Sequence, residues 1–445
     1  MGNYRPVSVL PIISKILERA VYIQMVKHLK DNNILYEYQS GFRTSYSTDT
    51  CLINLQDGIR MEISKGKYVG MVLIDLQKAF DTVDHDILLE KLEAMGFNHN
   101  KWFESYLKGR KQLVVVNDVS SESGIVTCGV PQGSILGPLL FLCYINDMPI
   151  SVKCKLLLYA DDSALIVSGY NSKEIGEELS RELESCRQWL IDNKLSLHLG
   201  KTEAILFGSK RKLKRDHSFE VKCGEIKVTN VNSVKYLGLQ IDNNLSGTSV
   251  IADIVKKCNT RLRFLYRYND MLNIEMRKTL STALVQCSFD YSCCSWYPGI
   301  NETFRKKLQV LQNKMIRFIL KLDNRAHIGN NELIKAGFLN VSDRIKQLNL
   351  GHVFKIWNKT CPNYLTENFT RLNEDSERCE TRAKAYNFQV PRLSTNTFAY
   401  SAIKDWNNLS NHIKDIKSEQ SYKENVKKFL RTAAKELESS DFVYF

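Results

Sequence analysis

The sequence predicts an α+β fold with a largely antiparallel sheet under helices, followed by a helical, basic C-terminal part. Three observations carry this. Short apolar runs bounded by turn residues alternate with helical periodicities through residue 245. One pair of runs, LLLYADDSALIV at 156–167, reads as a hairpin with two adjacent carboxylates, Asp161 and Asp162, at its turn. After Asn243–Asn244 the strand patterns give way to long amphipathic ones.

The elements follow in order. Ile12, Ile16, Ala20 and Ile23 predict a helix over 11–30 with that face buried. YVGMVLID at 68–75 reads as a buried strand ending in Asp75. Ile87, Leu88, Leu92 and Met95 mark a helix over 83–95, stopped by Gly96. Residues 112–116 and 124–128 read as a hairpin, and 134–147 as an apolar helix with Ser134 as its N-cap. A charged amphipathic helix is expected over 172–193, then strands near 195–199, 203–207, 219–222 and 234–241.

Two further helix faces are Ile251, Ile254, Val255, Cys258, Leu262, Leu265 and Leu308, Leu311, Met315, Ile319, Leu322. Opposite them run Lys256, Lys257, Arg261, Arg263 and Arg305, Lys306, Lys307, Lys314, Arg317, Lys321. Residues 326–445 show short helices, a loop around NEDSERCETRAKA and a charged helix near 416–437. The expected division is therefore 1–245, 250–325 and 326–445.

Charge narrows the partners. Sixty-two Lys and Arg against 49 Asp and Glu give +13, which suits a polyanion, nucleic acid before membrane surface. No apolar stretch reaches the roughly 18–20 residues of a membrane span, and no secretory signal is apparent. Twelve cysteines are scattered without a C-x-x-C pair, and His352, Cys361 and Cys379 lack zinc spacing. A reducing, intracellular setting is expected. KRKLKR at 210–215 is a solvated loop, a phosphate contact or a nuclear address.

Adjacent carboxylates in a turn have two readings. Asp tolerates turn geometry and solvates well, so the pair is either a plain hairpin turn or a divalent-metal site. Asp75, at a strand end, is either a helix cap or a third carboxylate. Three such carboxylates are what two-metal nucleotidyl transfer uses. Alternation along a strand makes Asp161 and Asp162 inequivalent, with Asp162 the more peripheral.

The order of the motifs adds a resemblance. LIDLQKAFDTVDH, GVPQGSILGPLLF, YADD, KLSLHLGKTEAILFG and VKYLGLQID follow one another as in the palm of a reverse transcriptase. NYRPVSVLPIISKILERAV and QSGFRTSYSTDT resemble the fingers motifs of non-LTR retrotransposon reverse transcriptases of the jockey and CR1 kind. The resemblance covers about residues 3–245 and implies a right-hand polymerase fold of fingers and palm, with 250–325 as a helical thumb and 326–445 as an element-specific region. The chain begins on the first recognisable motif, so a truncated copy is expected. The alternative is a catalytically incompetent remnant that only binds nucleic acid; telomerase and intron maturases fit the wording less well.

The resemblance also implies roles. Asp75, Asp161 and Asp162 are the metal ligands, for two Mg²⁺ ions with Mn²⁺ as a possible substitute. Lys201 matches a lysine that protonates the leaving pyrophosphate, or is a solvated strand-end lysine. Phe80 falls at the gate against the sugar 2′ position, or is a core aromatic. Gln132 and Gly133 shape the nucleotide pocket, or only begin a helix. Arg43 reaches the triphosphate; Tyr46, where the family has a basic or histidine residue, departs from the pattern. Asp81, Asp84 and Asp86 read as caps and surface charges. The implied partners are an RNA template, a DNA primer and dNTPs, without a membrane.

Overall fold

The computed structural model describes residues 7–98, 100–216, 218–372, 386–392 and 394–441. The first four residues of the NYRP motif and the NEDSERCETRAKA segment lie outside them. The chain forms two compact units that interleave in sequence. The first comprises Met1–Ser47, Tyr68–Leu206 and Arg211–Val231; the second comprises Thr48–Lys67, Phe207–Lys210 and Asn232–Phe445.

The first unit is built on one five-stranded sheet. Its strands are β1 (Tyr68–Ile74), β2 (Lys155–Tyr159), β3 (Asp162–Gly169), β4 (Glu203–Phe207) and β5 (Thr229–Asn230), in the order β5-β4-β1-β3-β2. β1 pairs antiparallel with β3 from Tyr68↔Gly169 to Ile74↔Ser163, and β2 pairs antiparallel with β3 down to Tyr159↔Asp162. β4 and β5 run parallel. Val72, Ile74, Leu156, Leu158 and Leu165 are core residues, so the central strands read as near-continuous apolar runs.

Helices cover the sheet. α1 is Ile12–Asp31, α2 His85–Ala94, α3 Gly137–Ile145 and α4 Ser172–Asp192. α4 buries Ile175, Leu179, Leu183, Cys186 and Leu190, an i, i+4, i+8 stripe lying on β1 and β3. Asp84 caps α2 by accepting the N–H groups of Asp86 and Ile87. Burial opposes ionisation of Asp84, but Lys194 and these N–H groups hold its carboxyl below the usual range.

Several expectations shift. α1 forms where predicted but with its other face inward. Ile12, Ile16 and Ile23 are 78%, 66% and 59% exposed, while Glu18, Met25 and Leu29 are buried. Both faces of this helix carry apolar residues, and Val21, Tyr22 and Val26 take the core side, so periodicity could not choose between them. α3 starts at Gly137 rather than 134, so Leu136 and not Ser134 is its N-cap; the Ser134 hydroxyl accepts the Gly137 N–H at 2.7 Å from the preceding turn. The 112–128 hairpin is two separate two-residue ladders. Residues 195–199 form no strand: Leu197 makes a single bridge to Leu76, and 199–201 is a 3₁₀ turn. Residues 210–213 form one helical turn.

The second unit is mostly helical. The helix Thr48–Ser64 belongs to it and buries Cys51, Leu52, Ile53, Leu55 and Ile59. The expected 234–241 strand is a hairpin, β6 (Ser233–Tyr236) and β7 (Leu239–Asp242), turned at Leu237–Gly238 with both φ positive. α5 (Thr248–Arg267) and α6 (Glu302–Leu320) pack together, with Tyr266 against Phe318 at 5.2 Å. They bury the apolar stripes read from the sequence except Val255, which is half-buried, and Leu322, which is half-buried and lies beyond the end of α6. α7 (Val341–Trp357), α8 (Phe398–Asn407) and α9 (Glu419–Asp441) close an aromatic core in which Trp357 lies 5.7 Å from Trp406 and Phe354 stacks on Tyr422 at 4.3 Å.

Asp57 and Arg60 form a buried pair here. The Asp57 carboxylate accepts the N–H groups of Phe398 and Ala399 at 2.8 and 3.0 Å, capping α8. Arg60 donates to the Ser295 carbonyl at 2.6 Å and to Gln56 at 3.0 Å.

Candidate active site

Asp75 follows directly on β1, one register step beyond the Ile74↔Ser163 pair. Continuing the ladder sets it opposite Asp162, and directly opposed residues of antiparallel strands project to the same side of a sheet. Ala160 and Asp161 form the two-residue turn between β2 and β3, with Ala160 at φ +55. The carboxylates thus gather at one end of the central strands because an apolar hairpin ends where its register demands. Asp161 is half-buried and Asp162 exposed.

Lys201 approaches from the 3₁₀ turn before β4. Its Nζ lies 3.5 Å from Asp75 Oδ2, with the two side chains 64% and 38% exposed. The turn is held to the strand end because the His198 N–H donates to the Asp75 carbonyl at 2.9 Å.

The segment 38–41 lies along β2 and braces the turn. Ser40 N–H donates to Leu158 O, and Leu158 N–H to Tyr38 O. Gln39 is buried, and its Oε1 accepts two N–H groups, from Gly41 at 2.8 Å and Ala160 at 3.0 Å. A Cβ on Gly41 would meet Ala160 N at 2.4 Å, so only glycine lets this segment approach so closely. Arg43 donates to the carbonyls of Tyr36 and Gln39 at 2.7 and 3.0 Å, with its guanidinium 4.1 Å from the Tyr46 ring centre. Arg43 thereby stiffens its own loop.

Phe80 is half-buried between two rings. It stacks at 4.4 Å on Phe141, a fully buried core residue of α3, and meets Phe42 edge-on at 6.1 Å. It therefore has both a core face and an outer edge. Gln132 donates from Nε2 to Asp81 Oδ1 at 2.8 Å, and its carbonyl accepts the Ser8 N–H at 2.7 Å. Gly133 has φ +105, a conformation that disfavours other residues, with Ser8 O 2.8 Å from where a Cβ would stand.

Glu18 anchors this turn from α1. Its Oε2 accepts the N–H of Ile135 at 2.7 Å and of Leu136 at 3.4 Å, and its Oε1 accepts from the Tyr106 hydroxyl at 3.1 Å. Burial pushes the Tyr106 hydroxyl up to about 12. Sequence reasoning missed Glu18, Gln39 and Phe42. Nothing local singles out Glu18, one of several charged residues in a helix that also carries Lys15, Arg19 and Lys27.

Carboxylate oxygen is the donor that Mg²⁺ prefers, and protein sites commonly give it one or two carboxylates while phosphate and water complete the octahedron. Asp75 and Asp161 carry donors of that kind at the same end of the central strands. Among the described residues, no three carboxylate, histidine or cysteine groups converge closely enough to hold a metal unaided. The expected trio is thus not a closed cage here, with Lys201 drawn to Asp75 and Asp162 exposed.

A profile of the family described as "Reverse transcriptase (RNA-dependent DNA polymerase)" matches residues 1–241, more than half of the 445. The chain belongs to the reverse transcriptase family. Within it, the chain is 28% identical over 331 residues to the "Probable RNA-directed DNA polymerase from transposon X-element" of Drosophila melanogaster, covering 72% of this chain and 36% of that protein. It is 26% identical to the "RNA-directed DNA polymerase from mobile element jockey" of Drosophila funebris, with the same coverage. This reverse transcriptase chain spans about a third of the length of the curated relatives it matches. Among solved structures it is similar to Candida tropicalis telomerase in complex with a telomeric RNA fragment, with 15% identity and a TM-score of 0.37 over 75% of this chain and 56% of that one.

Proposed function

We propose that this chain is the polymerising part of a non-LTR retrotransposon RNA-directed DNA polymerase, adding dNTPs to a DNA primer on an RNA template. The observation that carries the reading is the placement of Asp75 at the β1 end, opposite Asp162 and beside the turn holding Asp161. In this reading Asp75 and Asp161 hold divalent cations, and Asp162 is peripheral. Bound Mg²⁺, or Mn²⁺ in its place, would activate the primer 3′-OH and neutralise charge on the departing pyrophosphate.

The chain's own groups divide the remaining work. Lys201 lies beside Asp75 and can give a proton to the leaving pyrophosphate. The Phe80 edge meets the sugar at its 2′ position. The Gln132–Gly133 turn forms a wall of the nucleotide pocket, and Arg43 holds the neighbouring loop in shape. The first unit serves as fingers and palm, and α5 and α6 as a thumb. Lys256, Lys257, Arg263, Lys306, Lys307 and Lys314 are exposed and suit duplex phosphates. Arg261 and Arg317 do not join them fully: each donates to a carbonyl of its own unit, Leu284 and Ala326. Twelve cysteines scattered without a C-x-x-C pair suit a reducing setting, and the reading assigns the chain to nucleus and cytoplasm.

Primer extension on an RNA template by the purified chain tests the reading. Wild type extends the primer with Mg²⁺, and Asp161→Asn abolishes extension while RNA binding persists. A wild type that binds RNA but never extends a primer makes the chain a binding remnant.

A further inference from the structure

We propose that Phe42 is a stacking platform for a nucleobase at the polymerising site, either the incoming dNTP's base or the template base it pairs with. The inference rests on the polymerase reading above and deepens it, because neither motif order nor comparison assigns Phe42 a role.

Four observations converge. Phe42 is 52% exposed, although its neighbour Gly41 is buried. Its φ is +52, a left-handed conformation that a bulky side chain adopts only when its surroundings impose it. The surroundings here are stiff on both sides. On one side Gly41 sits against the Ala160 backbone and Gln39 accepts the N–H groups of Gly41 and Ala160. On the other Arg43 clamps the carbonyls of Tyr36 and Gln39. Finally, the ring meets Phe80 edge-on, 6.1 Å between centres, and Phe80 is itself fixed on buried Phe141.

The strained backbone thus points a rigid aromatic ring outward, next to the turn that carries Asp161. A Phe in this position buries little and donates no hydrogen bond. What it offers is a π-face or edge of fixed orientation. The ligand that uses such a group without regard to identity is a nucleobase, since every base has a π-face. A polymerase needs that tolerance, because each template position presents a different base. With Phe80 at right angles to it, Phe42 supplies one wall for the base and Phe80 another for the sugar.

The test uses the full chain with Phe42→Leu, which keeps apolar bulk, and Phe42→Trp, which restores stacking. Two readouts are taken: the KM for dNTP against kcat in single-nucleotide extension, and equilibrium affinity without turnover in Ca²⁺. The binding readout measures both dNTP in the ternary complex and primer–template, with a normal or an abasic first template position. Phe42→Leu should raise the KM and Kd for dNTP by roughly 5- to 150-fold, the equivalent of about 1–3 kcal/mol of stacking at 1.36 kcal/mol per tenfold. kcat should stay within about twofold and Phe42→Trp should recover wild-type values. If the template base is the occupant, the loss appears in primer–template affinity instead and vanishes with the abasic template. Unchanged affinity in both arms overturns the proposal, as does a loss shared equally by kcat and the Trp variant. A wild type that binds dNTP and primer–template but does not extend refutes the polymerase reading alone, and the binding arms still decide Phe42.

Discussion

Glu18 Oε2 accepts the backbone N–H of Ile135 at 2.7 Å, joining α1 to the Gln132–Gly133 turn across 117 residues of sequence. A buried carboxylate is costly unless N–H and O–H donors surround it, and here Ile135, Leu136, Tyr106 and Ser14 do so. Glu18→Leu should therefore destabilise the chain by about 2–4 kcal/mol, because it strands several buried donors at once. Glu18→Gln keeps one acceptor oxygen and should cost about half as much. In denaturant unfolding the Leu variant should fall well below the Gln variant; equal midpoints would show that the carboxylate does not hold the turn. Both variants should raise the KM for dNTP more than they lower kcat.

Gly41→Ala places a methyl 2.4 Å from the Ala160 nitrogen, an atom that cannot move without the Asp161 turn. Overpacking of this kind costs about 1–3 kcal/mol, and primer extension should drop by more than about tenfold, since positioning errors near 1 Å cost about a hundredfold. Gly58→Ala is the matched control. Gly58 is a helical glycine with nothing within 4 Å of an added Cβ, so alanine there should stabilise by about 0.5–1 kcal/mol and leave activity intact. Equal activity in the two variants would refute the close approach at Gly41.

Lys201 and Asp75 form a mostly exposed pair 3.5 Å apart, so Lys201→Ala should change unfolding free energy by less than about 1 kcal/mol. Its effects belong to chemistry. kcat should fall by about a hundredfold or more if the ammonium supplies a proton. Removing the competing cation from Asp75 should also lower the Mg²⁺ concentration for half-maximal activity. A Lys201→Ala variant with wild-type kcat and wild-type Mg²⁺ dependence leaves Lys201 as a solvated lysine.

Asp57 carries a pH signature in the second unit. Burial pushes its carboxyl up to about 6, against the opposing pull of Arg60 and of the Phe398 and Ala399 N–H groups. A folded-state value above the unfolded one means that the folded chain binds the proton more tightly. Asp57's contribution is thus largest below about pH 4 and is lost as pH rises through about 6. Thermal unfolding compared between wild type and Asp57→Asn should show the wild type losing stability relative to the variant between pH 4 and 6.5. A constant difference over that range would mean Asp57 stays ionised throughout.

Local sequence was sufficient for the central strands and for the carboxylates. YVGMVLID and LLLYADDSALIV are apolar runs whose length and turn residues fix their pairing, and a two-residue turn leaves Asp161 no other place. α4, α5 and α6 were legible too, because each has one apolar stripe and a polar remainder. α1 was not, since both of its faces are apolar and the choice was made by Glu18, whose donors come from residues 106, 135 and 136.

What the sequence by itself determined is the chemistry available: the paired carboxylates, the basic excess, and an ordered series of motifs that marks a reverse transcriptase. What only the tertiary structure decided is which groups meet. The helix Thr48–Ser64 joined the second unit because Asp57 caps a helix more than 340 residues away. Gln39, Gly41 and Phe42 gained their places because a segment from the start of the chain bridges to β2 and touches the Ala160 backbone. Such contacts are set by long-range packing and by the satisfaction of buried hydrogen bonds, and neither leaves a periodic trace in the residues that make them.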